Sequence, residues 1–140
     1  MQSQTALPEI RKTVLINAPI EKVWEAVSTA EGIARWWMPN TFEPELGHKF
    51  IVHAGDFGDA PCQVTELEPP NRIGFVWSKD WHLTFALKKY NTITEFTLIH
   101  SGWDAEKVTP FGHPHPMVRE IMDSGWEKIV KEKLPSIFAG

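Results

Sequence analysis

The chain has 140 residues, which suits one domain with a single core, and its net charge of -4 provides no basic surface for nucleic-acid phosphates or anionic lipid. Residues 1–8 lack the basic and apolar regions of a signal peptide, and no segment approaches the ~18 apolar residues of a membrane span. We therefore expect a cytoplasmic protein that binds neither nucleic acid nor membrane. The single cysteine, Cys62, excludes an intrachain disulfide, and we expect it to be a buried, unreactive thiol.

The first elements are a strand and an amphipathic helix. Even spacing of the apolar residues Ile10, Val14 and Ile16 predicts a strand over residues 10–16. In the following "NAPIEKVWEAVS", Pro19 suits a first helical position. One face of this helix then carries apolar side chains at the spacing i, i+3, i+4 and i+7, namely Ile20, Val23, Trp24 and Val27. We expect this face, including Trp24, to pack into the core.

A second short helix is predicted to end in two adjacent tryptophans. Ser28 and Glu31 have the spacing of a capping box, and Pro39 prevents the helix from continuing. Neighbouring helical side chains point about 100° apart, so Trp36 and Trp37 are not expected to enter the same core. We expect Trp36 to anchor the helix and Trp37 to lie at the opening of a pocket.

Between residues 47 and 100 the apolar period changes to two, which predicts about five strands in an antiparallel meander. The apolar pairs and triplets are Phe50 with Val52, Cys62 with Val64, Ile73 with Phe75 and Trp77, Trp81 with Leu83, Phe85 and Leu87, and Phe96 with Leu98. A helical stripe then predicts one long helix over residues 116–134, ended by Pro135. A curved sheet needs one face covered, and this helix is long enough to cover it.

The order of elements and several motifs resemble the START/SRPBCC superfamily of helix-grip folds. Within this superfamily the chain resembles the branch named for homologues of the activator of the heat-shock-protein-ninety ATPase, and in particular its small stand-alone bacterial members. The resemblance spans about residues 9–134. Its motifs are "NAPIEKVWEAVS", Trp36-Trp37, Gly47 with Phe50, "VTELEPPNRIGFVW" ending at Trp77, "TEFTLIHSGW" ending at Trp103, and Gly125-Trp126. It implies an α+β single domain over residues 1–140, with a core at about 9–134. It also implies a curved antiparallel sheet of about six strands, two short helices after the first strand, and a long C-terminal helix that encloses a cavity.

Members of this superfamily use that cavity for hydrophobic molecules, and seven tryptophans in this chain are compatible with such a pocket. We expect the cavity between the sheet and the C-terminal helix to bind a small hydrophobic ligand, planar and aromatic or lipid-like. Stacking on indole faces favours a planar ring system. The expected ligand-binding residues are Trp37, Met38, Phe42, Phe75, Trp77, Trp81, Phe85, Phe96, Trp103, Met117, Val118 and Met122.

Two other functions remain open. The branch implies a protein-partner module that stimulates a chaperone ATPase, which would need an exposed apolar patch rimmed by charge. Some superfamily members are cyclases or dehydratases, but the sequence contains no recognisable catalytic motif, and we expect no catalytic residue and no cofactor.

The six histidines offer few candidate sites. His113 and His115 lie in a proline-rich segment that we expect to be a solvated loop, and no third ligand is evident, so no metal site is predicted. His82 and His100 fall on predicted strands, and both are candidates for contact with a ligand oxygen. Asp80 beside His82 is a weak acid–base pair.

Overall fold

The structure, a computed structural model, describes residues 6–53, 59–78, 80–109 and 112–138. The expectation that no signal peptide is present concerns residues 1–8, and residues 1–5 of that segment lie outside the described residues. The strands are β1 (Ile10–Ile16), β2 (Lys49–His53), β3 (Asp59–Glu68), β4 (Arg72–Trp77), β5 (Trp81–Tyr90) and β6 (Ile93–Ser101). The helices are α1 (Ile20–Val27), α2 (Ala30–Trp36), α3 (His115–Lys128), a π-helical segment (Ile129–Lys133) and α4 (Leu134–Ser136).

The six strands form one antiparallel sheet in the order β1-β6-β5-β4-β3-β2. The meander β2 to β6 is sequential, and β1 pairs with β6 at the far edge. Alternate residues of each strand face the helices; in β5, for example, Trp81, Leu83, Phe85 and Leu87 are all buried. The predicted α+β helix-grip fold, with a curved six-stranded sheet and a C-terminal helix, is confirmed.

The cap of α2 differs from the prediction by one residue. Thr29, rather than Ser28, has the extended backbone of an N-cap, and its hydroxyl accepts a hydrogen bond from the Gly32 N–H at 3.0 Å. Ser28 instead caps the C-terminus of α1 and is buried. Both residues have capping chemistry, so the sequence pattern alone did not separate them.

The predicted separation of Trp36 and Trp37 is wrong, because both side chains are buried in one core. Trp36 is fully buried, Trp37 is only 7% exposed, and their ring centroids lie 6.4 Å apart. The 100° rule applies only within a helix, and α2 ends at Trp36. Trp37 leaves the helical path, with φ -132° and ψ -118°. Trp24, expected in the core, is only half-buried at its edge.

The C-terminal helix is longer and less regular than predicted. It begins at His115, widens into the π-helical segment, and continues past Pro135 into α4. The Lys12 ammonium joins this helix to β1 through Asp123 at 3.0 Å and Glu127 at 3.5 Å. No helix among the described residues is long and apolar enough to cross a membrane.

Candidate functional site

One end of the concave sheet face carries a group of rings that we call the tryptophan cluster. The sheet contributes residues from the end of β4, the start of β5 and the end of β6, and α3 contributes residues from both of its ends. Its members are Trp77, Trp81, His100, Trp103, His115 and Trp126. All six side chains are buried.

His100 lies at the centre of the cluster. Its ring centroid is 4.6 Å from that of Trp103, 5.0 Å from that of Trp81 and 5.1 Å from that of Trp77. Trp126 approaches it from α3, and its indole Nε1–H donates to His100 Nδ1 at 3.0 Å. The cluster is therefore an aromatic wall centred on the polar ring of His100.

The turn after β6 places Trp103 against this wall. Gly102 has φ +95°, a left-handed conformation that favours glycine, and a Cβ there would lie 2.0 Å from the Asp80 carbonyl oxygen. The turn directs the Trp103 indole back toward β6, where its Nε1–H donates to the His100 carbonyl oxygen at 3.1 Å. The local sequence His-Ser-Gly-Trp thus positions two members of the cluster.

Electrostatics keep His100 uncharged. Burial lowers its pKa to about 3, and the nearby His115 and Arg119 charges act in the same direction. The pKa of His115 is also lowered, chiefly by burial, although Asp80 opposes this shift. Its Nδ1 accepts a hydrogen bond from the Asp104 backbone N–H at 3.2 Å. A neutral imidazole at His100 acts as one donor and one acceptor.

A second aromatic group continues along the concave face. Trp37 contacts Phe75 at 6.4 Å, Trp77 at 5.2 Å and Trp126 at 5.2 Å between ring centroids, and so joins the two groups. Four other expected residues are buried in the same core, namely Phe42, Phe75, Phe85 and Phe96. Including the cluster members Trp77, Trp81 and Trp103, the structure brings eight of the twelve expected residues into one aromatic core.

The remaining four expected residues are less enclosed. Met38, Val118 and Met122 are half-buried and pack against the core, whereas Met117 is 47% exposed. Only His115 and Trp126 are buried among the described side chains of α3. The buried side chains of the helix thus lie near its two ends, while the apolar side chains between them are only partly covered.

Three cluster members were not among the twelve expected ligand-binding residues. The prediction of a solvated loop is wrong for His115, which is only 1% exposed, although His113 is exposed. Trp126 was named only as part of the Gly125-Trp126 motif, and His100 was one of two equivalent histidine candidates. The alternation in β6, with Phe96, Leu98 and His100 on one face, is the sequence signal that places His100 inside.

The other polar candidates lie elsewhere. His82 is on the opposite sheet face, where its Nε2 pairs with the Thr65 hydroxyl at 2.9 Å. Asp80 binds Lys107 at 3.1 Å. No group of three His, Cys, Asp or Glu side chains in the described part of the chain is arranged to hold a metal ion. Cys62 is buried, and desolvation raises its pKa to about 12.

A separate open cleft of about 640 Å³ lies between α1, α2 and the C-terminal turn. Ala26, Ile137 and Phe138 give it apolar walls, and Lys22 and Arg35 lie at its sides. Its described lining contains none of the twelve expected ligand residues.

The sequence profile of the Activator of Hsp90 ATPase homolog 1-like proteins matches residues 17–139, almost the whole fold just described. The chain belongs to this family. No curated protein is significantly similar to it. Among solved structures, BH1534 from Bacillus halodurans is 46% identical, with a TM-score of 0.85 over 96% of this chain and 99% of that protein.

Two more distant structures share the fold. DynU16, a putative protein in the dynemicin biosynthetic locus, is 24% identical with a TM-score of 0.75 over 94% of this chain, which spans 47% of that protein. PFC0360w, an Hsp90 activator from Plasmodium falciparum, is 19% identical, with a TM-score of 0.71 over 87% of this chain and 89% of that protein. The same fold therefore occurs in proteins from quite different settings.

Proposed function

We propose that this protein binds a small, planar aromatic molecule between the concave sheet face and α3. The observation that carries the proposal is the contrast between the two walls. The sheet side is a continuous set of buried rings, whereas Val118 and Met122 of α3 are only half-buried over them. The middle of α3 has few buried contacts, and its polar contacts from Arg119 and Asp123 to residues 8–12 are partly exposed to solvent. We therefore expect this part of the helix to open most easily to admit a ligand.

The chemistry of the walls favours flat ligands. Indole and phenyl faces gain about 0.5–1.5 kcal/mol from each favourable ring contact beyond the area that is buried. Met122, an unbranched thioether, adjusts its shape to different ligands. A relative from a biosynthetic locus is compatible with a small-molecule ligand.

The test is a two-dimensional NMR titration of the labelled protein with planar aromatics, fatty acids and sterols. We expect the indole resonances of Trp37, Trp77 and Trp126 to shift saturably with planar aromatics. The half-buried Trp24 indole lies outside this ring system and serves as the internal control. Saturable shifts with fatty acids alone would refute the planar-ligand proposal, and no shift with any class would refute small-molecule binding.

A pair of variants locates the site. Val118→Trp places a large ring where the half-buried valine meets the core, so we expect it to weaken binding at least ~10-fold. Ile121→Trp makes a similar change at a side chain that is 58% exposed and should leave the affinity unchanged. Equal effects of the two substitutions would place the ligand elsewhere.

A second function, stimulation of a chaperone ATPase, is favoured by one specific feature. Met117 and Ile121 form an exposed apolar strip one helical turn apart on α3, and Arg119 and Glu120 provide charges beside it. The family name and the Plasmodium falciparum activator support this alternative. Unlike the ligand proposal, it requires the outer face of α3 rather than the inner face.

ATP hydrolysis by the heat-shock-protein-ninety chaperone, measured with and without this protein, tests the alternative. If stimulation occurs, the double variant Met117→Ser with Ile121→Ser should abolish it. Leu15→Ser removes an equally exposed apolar side chain, 59% exposed on β1, and should not. Absence of stimulation by the unmodified protein would exclude this function.

A further inference from the structure

Two buried N–H groups in the tryptophan cluster have no hydrogen-bond partner among the described residues. They are Trp81 Nε1 and His100 Nε2. Their rings are adjacent, with centroids 5.0 Å apart and planes nearly perpendicular at 82°. A buried polar group without a partner is uncommon, and two on neighbouring rings within a candidate binding site point to a ligand.

The hydrogen bond from Trp126 decides the chemistry of His100. An indole N–H only donates, so His100 Nδ1 must accept and carries no proton. A neutral imidazole then carries its proton on Nε2. Burial lowers the pKa of His100 to about 3, so this form persists at neutral pH. Both unpartnered groups are therefore donors.

Three other buried indoles of the core have acceptors within the protein. Trp36 Nε1 donates to the Ala26 carbonyl at 2.9 Å, Trp103 Nε1 donates to the His100 carbonyl, and Trp126 Nε1 donates to the His100 ring. The fold thus supplies acceptors for buried indoles at three positions. At Trp81 and His100 it leaves two donors on adjacent rings without acceptors among the described residues.

We propose that Trp81 Nε1–H and His100 Nε2–H together bind a neutral hydrogen-bond-accepting oxygen, the ring carbonyl of a planar aromatic ketone. This inference rests on the proposed ligand-binding function and specifies the chemical class of the ligand. The two donors bind the oxygen while the surrounding indoles contact the ring system. The pair selects carbonyl compounds over hydrocarbons of the same shape.

A carboxylate fits the same pair less well. Both donors are uncharged, and a carboxylate would lose its hydration among aromatic rings without gaining a cation. The nearest basic side chain on α3, Arg119, already donates to the Pro8 carbonyl at 2.9 Å at the protein surface. The site therefore discriminates by the charge of the ligand as well as by its shape.

The experiment compares fluorene with fluorenone, two flat tricyclic molecules that differ at the carbonyl group. Dissociation constants are measured by NMR titration of the unmodified protein, together with the resonance of the His100 Nε2–H. We expect fluorenone to bind ~10-fold more tightly, from two hydrogen bonds of modest net strength, and to shift that resonance. Equal binding of the two compounds would overturn the carbonyl assignment and leave the proposed function intact, whereas binding of neither would refute the proposed function itself.

Two matched variants complete the test. Trp81→Phe removes one donor but keeps a ring, so the preference for fluorenone should fall at least ~3-fold. Trp24→Phe makes the same chemical change outside the cluster and should preserve the preference. The donor-site assignment also predicts that removal of the Trp81 N–H does not in itself lower the free energy of unfolding of Trp81→Phe. The reason is that no acceptor among the described residues loses a hydrogen bond. If the preference survives in Trp81→Phe, the pair is not the recognition site, and the N–H groups are simply hydrated.

Discussion

Replacing Trp37 with alanine should destabilise the protein far more than replacing Trp24. Trp37 is 7% exposed and packs against Phe75, Trp77 and Trp126. A buried tryptophan removes ~150–250 Å² from water, which is worth about 4–6 kcal/mol at ~25 cal/mol per Å². This area-based value is an upper estimate, because the unfolded chain already buries part of the surface. Since truncations of buried aromatics cost ~3–5 kcal/mol, we expect about 4 kcal/mol for Trp37→Ala.

The comparison with Trp24 gives the prediction its direction. Trp24 is half-buried at the edge of the core, so Trp24→Ala removes fewer contacts and leaves a space that water can enter. We expect a cost of about 1–2 kcal/mol. Trp37→Phe, which keeps a ring in the same place, should fall between the two alanine variants.

Urea unfolding followed by far-UV circular dichroism measures these free energies without relying on tryptophan emission. The midpoint should decrease in the order unmodified protein, Trp24→Ala, Trp37→Ala, with similar slopes. In thermal unfolding, the Trp37→Ala variant should melt roughly 10–15 °C lower. A larger loss for Trp24→Ala than for Trp37→Ala would show that the Trp37 indole does not fill the core, and would refute the reasoning.

Three further predictions follow from individual groups. In the folded protein His100 stays neutral down to its pKa of about 3, whereas in the unfolded chain the imidazole takes up a proton below about pH 6.5. The contribution of neutral His100 to the free energy of unfolding is therefore full above pH 6.5 and falls by about 2 kcal/mol from pH 7 to pH 5. Urea unfolding at both pH values should show this loss, and it should shrink in His100→Leu. Thr29→Ala removes the α2 cap and should cost ~1 kcal/mol in the same assay; no loss would mean that Ser28 compensates. Because its pKa is raised to about 12, Cys62 should resist a thiol reagent at pH 8 until urea unfolds the protein, and rapid labelling of the folded protein would contradict its burial.

Local sequence patterns determined most of the fold. Alternation of period two identified which residues of the strands face the helices, because successive strand side chains point to opposite sheet faces. Phe75, Trp77, Leu83 and Phe85 are all buried as this rule requires. The amphipathic pattern likewise located α1. These rules depend only on neighbours in the chain, so a single sequence is enough to apply them.

Positions at element ends were decided by the tertiary structure. Trp37 lies one residue beyond α2, where the helical angle between neighbours no longer applies, and the surrounding rings set its direction. His115 was expected in a solvated loop, but it begins α3 and is buried against Trp81 and Trp103. No local pattern marks either outcome.

The candidate site shows the same division. Strand alternation turns Trp81 and His100 inward, and this much could be predicted from the sequence. The proton position on His100 depends on Trp126, which lies 26 residues away and reaches the ring only because α3 crosses the sheet at this place. The sequence by itself therefore determined which side chains face the interior. Only the tertiary structure decided which of their polar atoms found partners, because hydrogen bonds between distant elements depend on packing that no local pattern encodes.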